Sequence, residues 1–485
     1  PNDLLDAREQ LVFELNQLVR VSSYVDSDNS LNVFIGNGQP LVVNIMSMPL
    51  EARPSAADPE RIVVGQKGTI SEFPESYLDG GSLGGLLAFR REALDQAANS
   101  LGQVAASIAL TVNAQQALGQ DLLGAVDGAA GFVAKFFNQP EPKAIPNALN
   151  AGTGSINRFE FDAPKMSDSG NFYTDITTSD YEVRFTRAGG GDFTVTVTRL
   201  SDKTVVASDT VVASGTVTGA PAVVSFDGLT LELSGGHAAG DTYLLEPTRE
   251  AARNIKVNQE IVADVRRIAA AMPIRTTASP DNIGHATISA GEVVGAGYTI
   301  PTPPITLEYN DATGQLVVAA GTPGSVLVNG LPSGFPMTYT SGDEITVDGF
   351  KFTITGTPAN GDRFTLEANE GGTADSRNMV KIGALQTALT MNGNSVGGTK
   401  GVSTFQVAYA QLVSDIGTKT KTVLSNGTAQ DTVLQQALES RSTVAGVNLD
   451  EEAANLLKYQ QAYQAAARVM NTVSTLFDTL LSIGA

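Results

Sequence analysis

The sequence predicts an α+β, multidomain chain: an elongated helical-bundle rod formed by both chain ends, with tandem all-β, sandwich-like modules inserted between them. Three observations predict it. Apolar residues recur at spacings of three and four near both ends, the signature of amphipathic helices. Between about 155 and 370 the composition changes to Thr, Val, Gly and Asp, with period-two alternation in place of the helical one. Within that middle region a single run occurs twice: FDGLTLELSGGHAAGDTYLLE from Phe226 and VDGFKFTITGTPANGDRFTLE from Val347, at a constant offset of 121 positions.

The elements follow in order. Residues 1–150 read as the first portion of the helical rod domain. A helix over 1–20 is capped by Asn2, carries Asp3 and Asp6 in its first turn, and places Leu4, Leu11, Leu15 and Leu18 on one face. A hairpin over 21–45 pairs Leu31–Ile35 with Leu41–Ile45 across Asn37-Gly38, a dipeptide that tolerates positive φ at both positions. Arg61–Val64 is a short strand. A long helix from Gly84 carries Leu87, Leu94, Ala97, Leu101, Val104, Ile108, Val112 and Gln115 at near-heptad spacing, with small residues between them that suit close helix packing. Gly119–Gly131 loosens, and Pro140, Pro142 and Pro146 close this portion.

Two β modules follow, over 151–300 and 301–371, joined by the Pro- and Gly-rich stretch 272–305. Tyr181–Thr186 and Phe193–Leu200 are strands of the first. In each copy of the repeat Asp-Gly (Asp227-Gly228, Asp348-Gly349) marks a tight turn, and Gly-Asp (Gly240-Asp241, Gly361-Asp362) precedes an aromatic strand residue, Tyr243 or Phe364. Helical spacing returns over 372–447, the second portion of the rod, first with Met379, Ile382, Leu385 and Leu389, then with Phe405, Tyr409, Leu412, Ile416 and Val423. The last segment, 448–485, is a coiled-coil assembly helix. Leu456, Tyr459, Tyr463, Ala466, Met470, Val473, Phe477 and Leu480 form its seam, Asn448 caps it with Glu451 three residues on, and no Pro or Gly interrupts it before Gly484. Within its own length nothing is available to bury that seam, so a partner helix is required.

Composition excludes several classes. A net charge of −20 repels nucleic acid. No cysteine occurs, so disulfides and thiolate metal sites are absent. No run of about 18 apolar residues could span a membrane. Pro1 followed at once by a helix suggests a chain cut from something longer.

The search for chemistry leads to no catalytic residue, no cofactor and no metal. His237 and His285 stand alone in polar, Gly-rich contexts; the repeat places Pro358 where His237 stands, and both histidines read as solvated. Asp26-Ser27-Asp28-Asn29-Ser30 opens like a calcium loop but has Leu31 and Asn37 where Gly and Glu belong, and reads as a hairpin turn. Gly393–Lys400 has the spaced glycines of a phosphate loop but ends Gly-Thr-Lys where Gly-Lys-Ser/Thr belongs, with no buried strand before it, and reads as a helix-breaking turn. Tyr459 and Tyr463 lie in the seam, which suits buried packing better than a stacking platform for sugars or bases.

The run GVNLDEEAANLLKYQQAYQAAARVMNTVSTLFDTLL resembles the C-terminal signature of the flagellar axial proteins. Two further blocks, PNDLLDAREQLVFELNQLV with NVFIGNGQPLV and GGSLGGLLAFRREALDQAANSLGQVA, narrow the resemblance to the hook–filament junction family of hook-associated protein 1. SRNMVKIGALQTAL and AYAQLVSDIGTKTKT complete it, so that it covers nearly the whole chain. The resemblance implies a structural, non-enzymatic subunit outside the bacterial cell, exported through the flagellar type III channel. It implies as partners the hook protein, the next junction protein, copies of itself in a ring, and a cytoplasmic export chaperone holding the C-terminal helix. It also implies a long N-terminal segment, not present here, whose helices pair with the C-terminal one. The rival readings are another axial protein (hook protein or the third hook-associated protein), a secreted acidic enzyme with converging carboxylates, and a β-rich adhesin.

Overall fold

The structure, a computed structural model, describes all residues except 1, 165–172, 174, 188–192, 213–221, 296, 394–400, 446–448 and 484–485. The expected cap Asn448, the side chain of Asn2 and most of the glycine-rich run after Gly393 lie outside the described residues. The chain divides into two compact units, residues 1–414 and 415–485.

The first unit begins with α1 (Asn2–Leu18), which leads into an antiparallel sheet of β1 (Val21–Val25), β2 (Leu31–Ile35), β3 (Gln39–Val43) and β4 (Met46–Ser47). Of the expected face of α1 only Leu15 packs inward, onto Val19, Ile35, Leu78 and Leu87; Leu4, Leu11 and Leu18 are exposed. Residues 26–30 form the turn between β1 and β2, with Asp26 N donating to Ser30 O and Ser30 N to Asp28 Oδ1, as expected of a hairpin and not of a calcium loop. The next turn departs from expectation. Ile35 pairs with Gln39, so three residues make the bend, and positive φ falls at Gly36 (54°) and Gly38 (91°), not at Asn37. Gly36 is required there because a Cβ would stand 1.7 Å from the Tyr77 carbonyl oxygen. The second strand therefore ends at Val43, and Ile45 is left 98% exposed in the following turn. A two-stranded ribbon of β5 (Leu50–Pro54) and β6 (Ile62–Gln66) follows.

Next come α2 (Gly81–Phe89), one wide π turn over Arg90–Leu94, and α3 (Asp95–Ala117). The near-heptad reading of this segment is corrected: Leu94 and Leu101 are exposed, while burial from Asn99 onward runs round most of the helix. The cause is that α3 meets two cores. Ala105, Ala106 and Leu110 belong to the core of one set of strands, and Ala114 and Leu118 to that of the other. Small residues on this helix let the sheets approach it closely. Its buried polar side chains satisfy chain segments far away. Gln116 Nε2 donates to Val133 O and Arg267 O while its Oε1 accepts from Ala269 N. Gln115 Nε2 donates to Asn378 Oδ1 at 2.7 Å.

The first set of strands comprises β7 (Lys143–Pro146), β8 (Ile156–Phe161), β9 (Tyr181–Arg187), β10 (Phe193–Arg199), β11 (Val205–Val212), β12 (Ala222–Phe226), β13 (Leu229–Leu233) and β14 (Thr242–Glu246). One sheet has the order β11-β10-β9-β14-β7 and the other β12-β13-β8. Alternation decides which residues face the core: Tyr181, Val183 and Phe185 from β9 and Leu229, Leu231 and Leu233 from β13 gather in one cluster. The short helices α4 (Ala251–Asn254) and α5 (Gln259–Ala263) follow, and α4 contacts α3.

The second set comprises β15 (Ile274–Ala278), β16 (Thr287–Ile288), β17 (Glu292–Val293), β18 (Ile305–Asn310), β19 (Gln315–Ala320), β20 (Val326–Val328), β21 (Leu331–Ser333), β22 (Met337–Thr338), β23 (Glu344–Val347), β24 (Phe350–Thr355) and β25 (Arg363–Ala368). Its sheets run β15-β25-β18-β19-β22 and β16-β24-β23-β20-β21, with β17 also on β24. The stretch 272–305 is thus not a join. It supplies β15 to β25 and β16 and β17 to β24, because its apolar residues Ile274 and Val293 complete the second core.

The repeat has a common physical basis. Asp227 and Gly228 (φ 46° and 75°) and Asp348 and Gly349 (φ 48° and 79°) make the same left-handed turn. Asp241 accepts from the amides of Ala151, Gly152 and Ala238; Asp362 accepts from those of Ile283, Gly284 and Ala359. Each carboxylate is buried and pins an incoming loop to the repeat. Burial alone would raise the Asp362 carboxyl, but the three amides outweigh it and hold it below the usual range. Last in this unit, α6 (Arg377–Ala384) is tied to α3 through Asn378.

The second unit holds most of α7 (Phe405–Ala445) and all of α8 (Leu449–Ile483). α7 passes through Gly417 and Gly427 without a break.

Candidate assembly surface

α8 is one helix of 35 residues, about 50 Å long at 1.5 Å per residue. Its first turn carries Asp450, Glu451 and Glu452 at the positive end of the helix dipole, which favours a start there. Regular 3/4 spacing brings the eight seam positions onto one stripe. None of its residues is buried. Leu456, Tyr459, Tyr463, Met470, Val473, Phe477 and Leu480 are between 54% (Val473) and 78% (Tyr463) exposed, and Ala466 is exposed as well.

The structure adds residues that the seam reading missed. Leu457, Val469 and Leu476 flank the seam and broaden the stripe, and Leu481, one turn beyond Phe477, continues it; all four are exposed too. The signal was in the sequence as apolar pairs, 456/457, 469/470, 476/477 and 480/481. A strict seam of coiled-coil type is narrow; a stripe of this breadth suits packing on more than one neighbour. α7 has the same character, with Val413, Ile416, Val423, Leu424, Val433, Leu434 and Leu438 exposed. In the first unit, α1 and the β1–β4 sheet leave an apolar groove of about 360 Å³ lined by Leu11, Val12, Leu15, Leu31, Val33 and Leu41.

Candidate catalytic chemistry fares differently. Burial pushes the Glu246 carboxyl up to about 7 and raises that of Asp180, two carboxyls that meet beside Arg249. Both are taken up by one cation: Arg249 Nη1 meets Glu246 and Nη2 meets Asp180, and Asn99 Nδ2 donates to Asp180 Oδ1 at 3.1 Å. The cluster joins the start of α3 to the end of β14 and has a structural task.

His237 is a correction. It is buried, not solvated: its ring stacks on Phe185 at 3.8 Å and Nδ1 lies 3.3 Å from the Tyr243 hydroxyl. The space exists because Gly154, 83 positions upstream, passes against the ring where any Cβ would clash. Burial lowers its pKa, with Asp241 opposing the shift. His285 is exposed, as expected. No helix among the described residues is long and apolar enough to cross a membrane, and no group of three or more His, Cys, Asp or Glu among them could hold a metal ion.

Comparison with known proteins matches this architecture piece by piece. Family models described as the flagellar hook-associated protein FlgK helical domain, the hook-associated protein 1 D2-like domain and its D3 domain match residues 1–132, 149–247 and 273–368. The model described as the flagellar basal body rod FlgEFG protein C-terminal matches residues 434–483, which include α8. Flagellar hook-associated protein 1 of Salmonella typhimurium is 33% identical over 490 residues, and that of Escherichia coli K12 is 30% identical over 487. Both alignments take in all of this chain, but the chain spans only 65% and 64% of those two proteins. The structure of the flagellar hook junction protein FlgK from Burkholderia pseudomallei superposes with a TM-score of 0.76 at 31% identity, covering 92% of this chain and 79% of that one. The chain belongs to the flagellar hook-associated protein 1 family.

Proposed function

We propose that this chain is a structural subunit of the bacterial flagellum that forms the junction between hook and filament, and that it assembles through the apolar stripe of α8. The observation that carries the reading is the long terminal helix whose apolar residues are all exposed. Burying a side chain such as Met470 or Phe477 contributes about 2 kcal/mol, and an isolated helix is marginal in water. Contact with neighbours is therefore the event that stabilises α8, and folding of this end is coupled to association. The breadth of the stripe supports packing on several helices at once, as in a ring of copies seated on the hook protein and offering a surface to the next junction protein.

In this reading the helical segments of the two chain ends together build the elongated rod, and the two β sets are sandwich-like modules carried on it through α3. Before export through the flagellar channel, a cytoplasmic chaperone holds α8, which would otherwise aggregate through the same stripe. The working location is the flagellum outside the cell; neither nucleic acid nor membrane is a partner, and no enzymatic step is assigned. The test is capping of purified hooks. A full-length version of the protein is expected to cap them, and truncation at Gly446 to abolish capping. Capping by the truncated protein would refute the assignment to α8.

A further inference from the structure

Where α3 ends, the loop Gln120–Gly124 faces the loop Gly371–Thr373 that leaves the second set of strands, across a recess of about 180 Å³. Two oxygen atoms of the residues lining it are buried and have no hydrogen-bond partner among the described residues: Asp121 Oδ2 and Gln120 Oε1. Their neighbours on the same side chains are engaged. Asp121 Oδ1 accepts from Leu123 N at 2.9 Å and Ala125 N at 2.8 Å, and Gln120 Nε2 donates to Gly124 O at 3.1 Å. These bonds fix both side chains. The backbone below is fixed as well, since Gln120 and Ala271 exchange N–H···O bonds in both directions.

Asp121 is 3% exposed, and no lysine, arginine or histidine lines the recess. A buried carboxylate oxygen without donor or cation costs several kcal/mol. A water molecule could donate to both oxygens, but it would leave the negative charge uncompensated. We propose that the recess binds a hard divalent cation, calcium or magnesium, through Asp121 Oδ2 and Gln120 Oε1. An all-oxygen donor set with one carboxylate and remaining positions for water is the chemistry these ions take. The ion is held by the loop after α3 and sits against Gly371–Thr373 of the segment that leaves the second set of strands, beside a junction already made by Ala114 and Leu118 in the second core and by the Asn378 contacts.

The test uses the whole chain after dialysis against EDTA. Calcium chloride and magnesium chloride are titrated in separate runs by isothermal titration calorimetry, with thermal unfolding recorded in parallel. One of the two is expected to bind with a dissociation constant of about 1 mM or tighter, typical of extracellular sites, and to raise the unfolding midpoint. Asp121→Asn keeps the Oδ1 acceptor for both amides, so its circular dichroism should match the parent while its affinity falls at least about tenfold. Gln120→Leu leaves the carboxylate in place and should weaken binding too. No binding by the parent chain up to about 10 mM of either salt, or equal binding by parent and Asp121→Asn, would overturn the proposal; the first result would leave water as the occupant.

Discussion

Replacing Asn378 by alanine is the sharpest test of the idea that α3 is the spine of the first unit. Asn378 is fully buried and reaches α3 across 263 positions of sequence. Its Oδ1 accepts from Gln115 Nε2 at 2.7 Å, and its Nδ2 donates to Gln115 O at 3.1 Å and to Ala269 O at 2.6 Å. Alanine removes all three bonds. Gln115 O keeps Leu118 N, but Gln115 Nε2 and Ala269 O lose the partner that Asn378 supplied. Each buried group left unpaired costs about 1–3 kcal/mol, so the loss should be about 3–4 kcal/mol. Urea unfolding followed by circular dichroism measures it. Gln115→Ala removes the other side, and the double variant should lose clearly less than the sum of the two single ones, since the pair shares one bond. A loss below about 1 kcal/mol for Asn378→Ala, or strict additivity, would show that α6 is not held by this contact.

Other expectations follow from individual contacts. Asp362→Ala strips the acceptor from three amides and should destabilise the second set of strands by about 3 kcal/mol, with Asp241→Ala acting alike on the first; native-state amide exchange, read separately over 274–368 and 143–246, locates each loss. His237 has a folded pKa below its unfolded value of 6.5, so its contribution is complete above that value and is lost as the pH falls towards the folded pKa. The unfolding midpoint of the parent should therefore drop between pH 7 and pH 5 relative to His237→Phe; parallel profiles would contradict the burial argument. Met470→Asp or Phe477→Asp, introduced into the full-length protein, should abolish incorporation at the hook while leaving the β strands folded by circular dichroism, and normal filament growth with either would remove the stripe from the mechanism.

Much of the architecture could be read directly because its causes are local. Asp227-Gly228 and Asp348-Gly349 adopt left-handed φ by their own chemistry, and alternation along Tyr181–Arg187 needs no distant information. The stripe of α8 was legible for the same reason: periodicity is a property of the helix itself. What escaped depends on partners far along the chain. Gln115 stands at the end of the helical stripe with no sign of its bond to Asn378, and Gln116 looks like a solvent-facing residue until Arg267 and Ala269 arrive to meet it. His237 looks like a loop residue until Gly154 closes over it. The stretch 272–305 looks like a linker because it is rich in Pro and Gly, yet Met272, Ile274, Val293 and Ile305 from it are buried in the second core and seat its short strands there. Leu94 and Leu101 fit a heptad but stay exposed, since the cores that α3 enters are those of the two sets of strands and no long helix among the described residues runs alongside it as a heptad partner.

Hydrogen exchange at the amides of Leu456 to Leu480 tests the central claim most directly, comparing the full-length protein as a dilute monomer with the same protein seated on hooks. Slow exchange on the hook and faster exchange in the monomer is the expected pair of results, because in the proposed assembly neighbours cover a stripe broader than a single pairing helix of the same chain would. Equally slow exchange in the dilute monomer would mean that the helix is already covered without them, and the account of assembly through this stripe would be wrong.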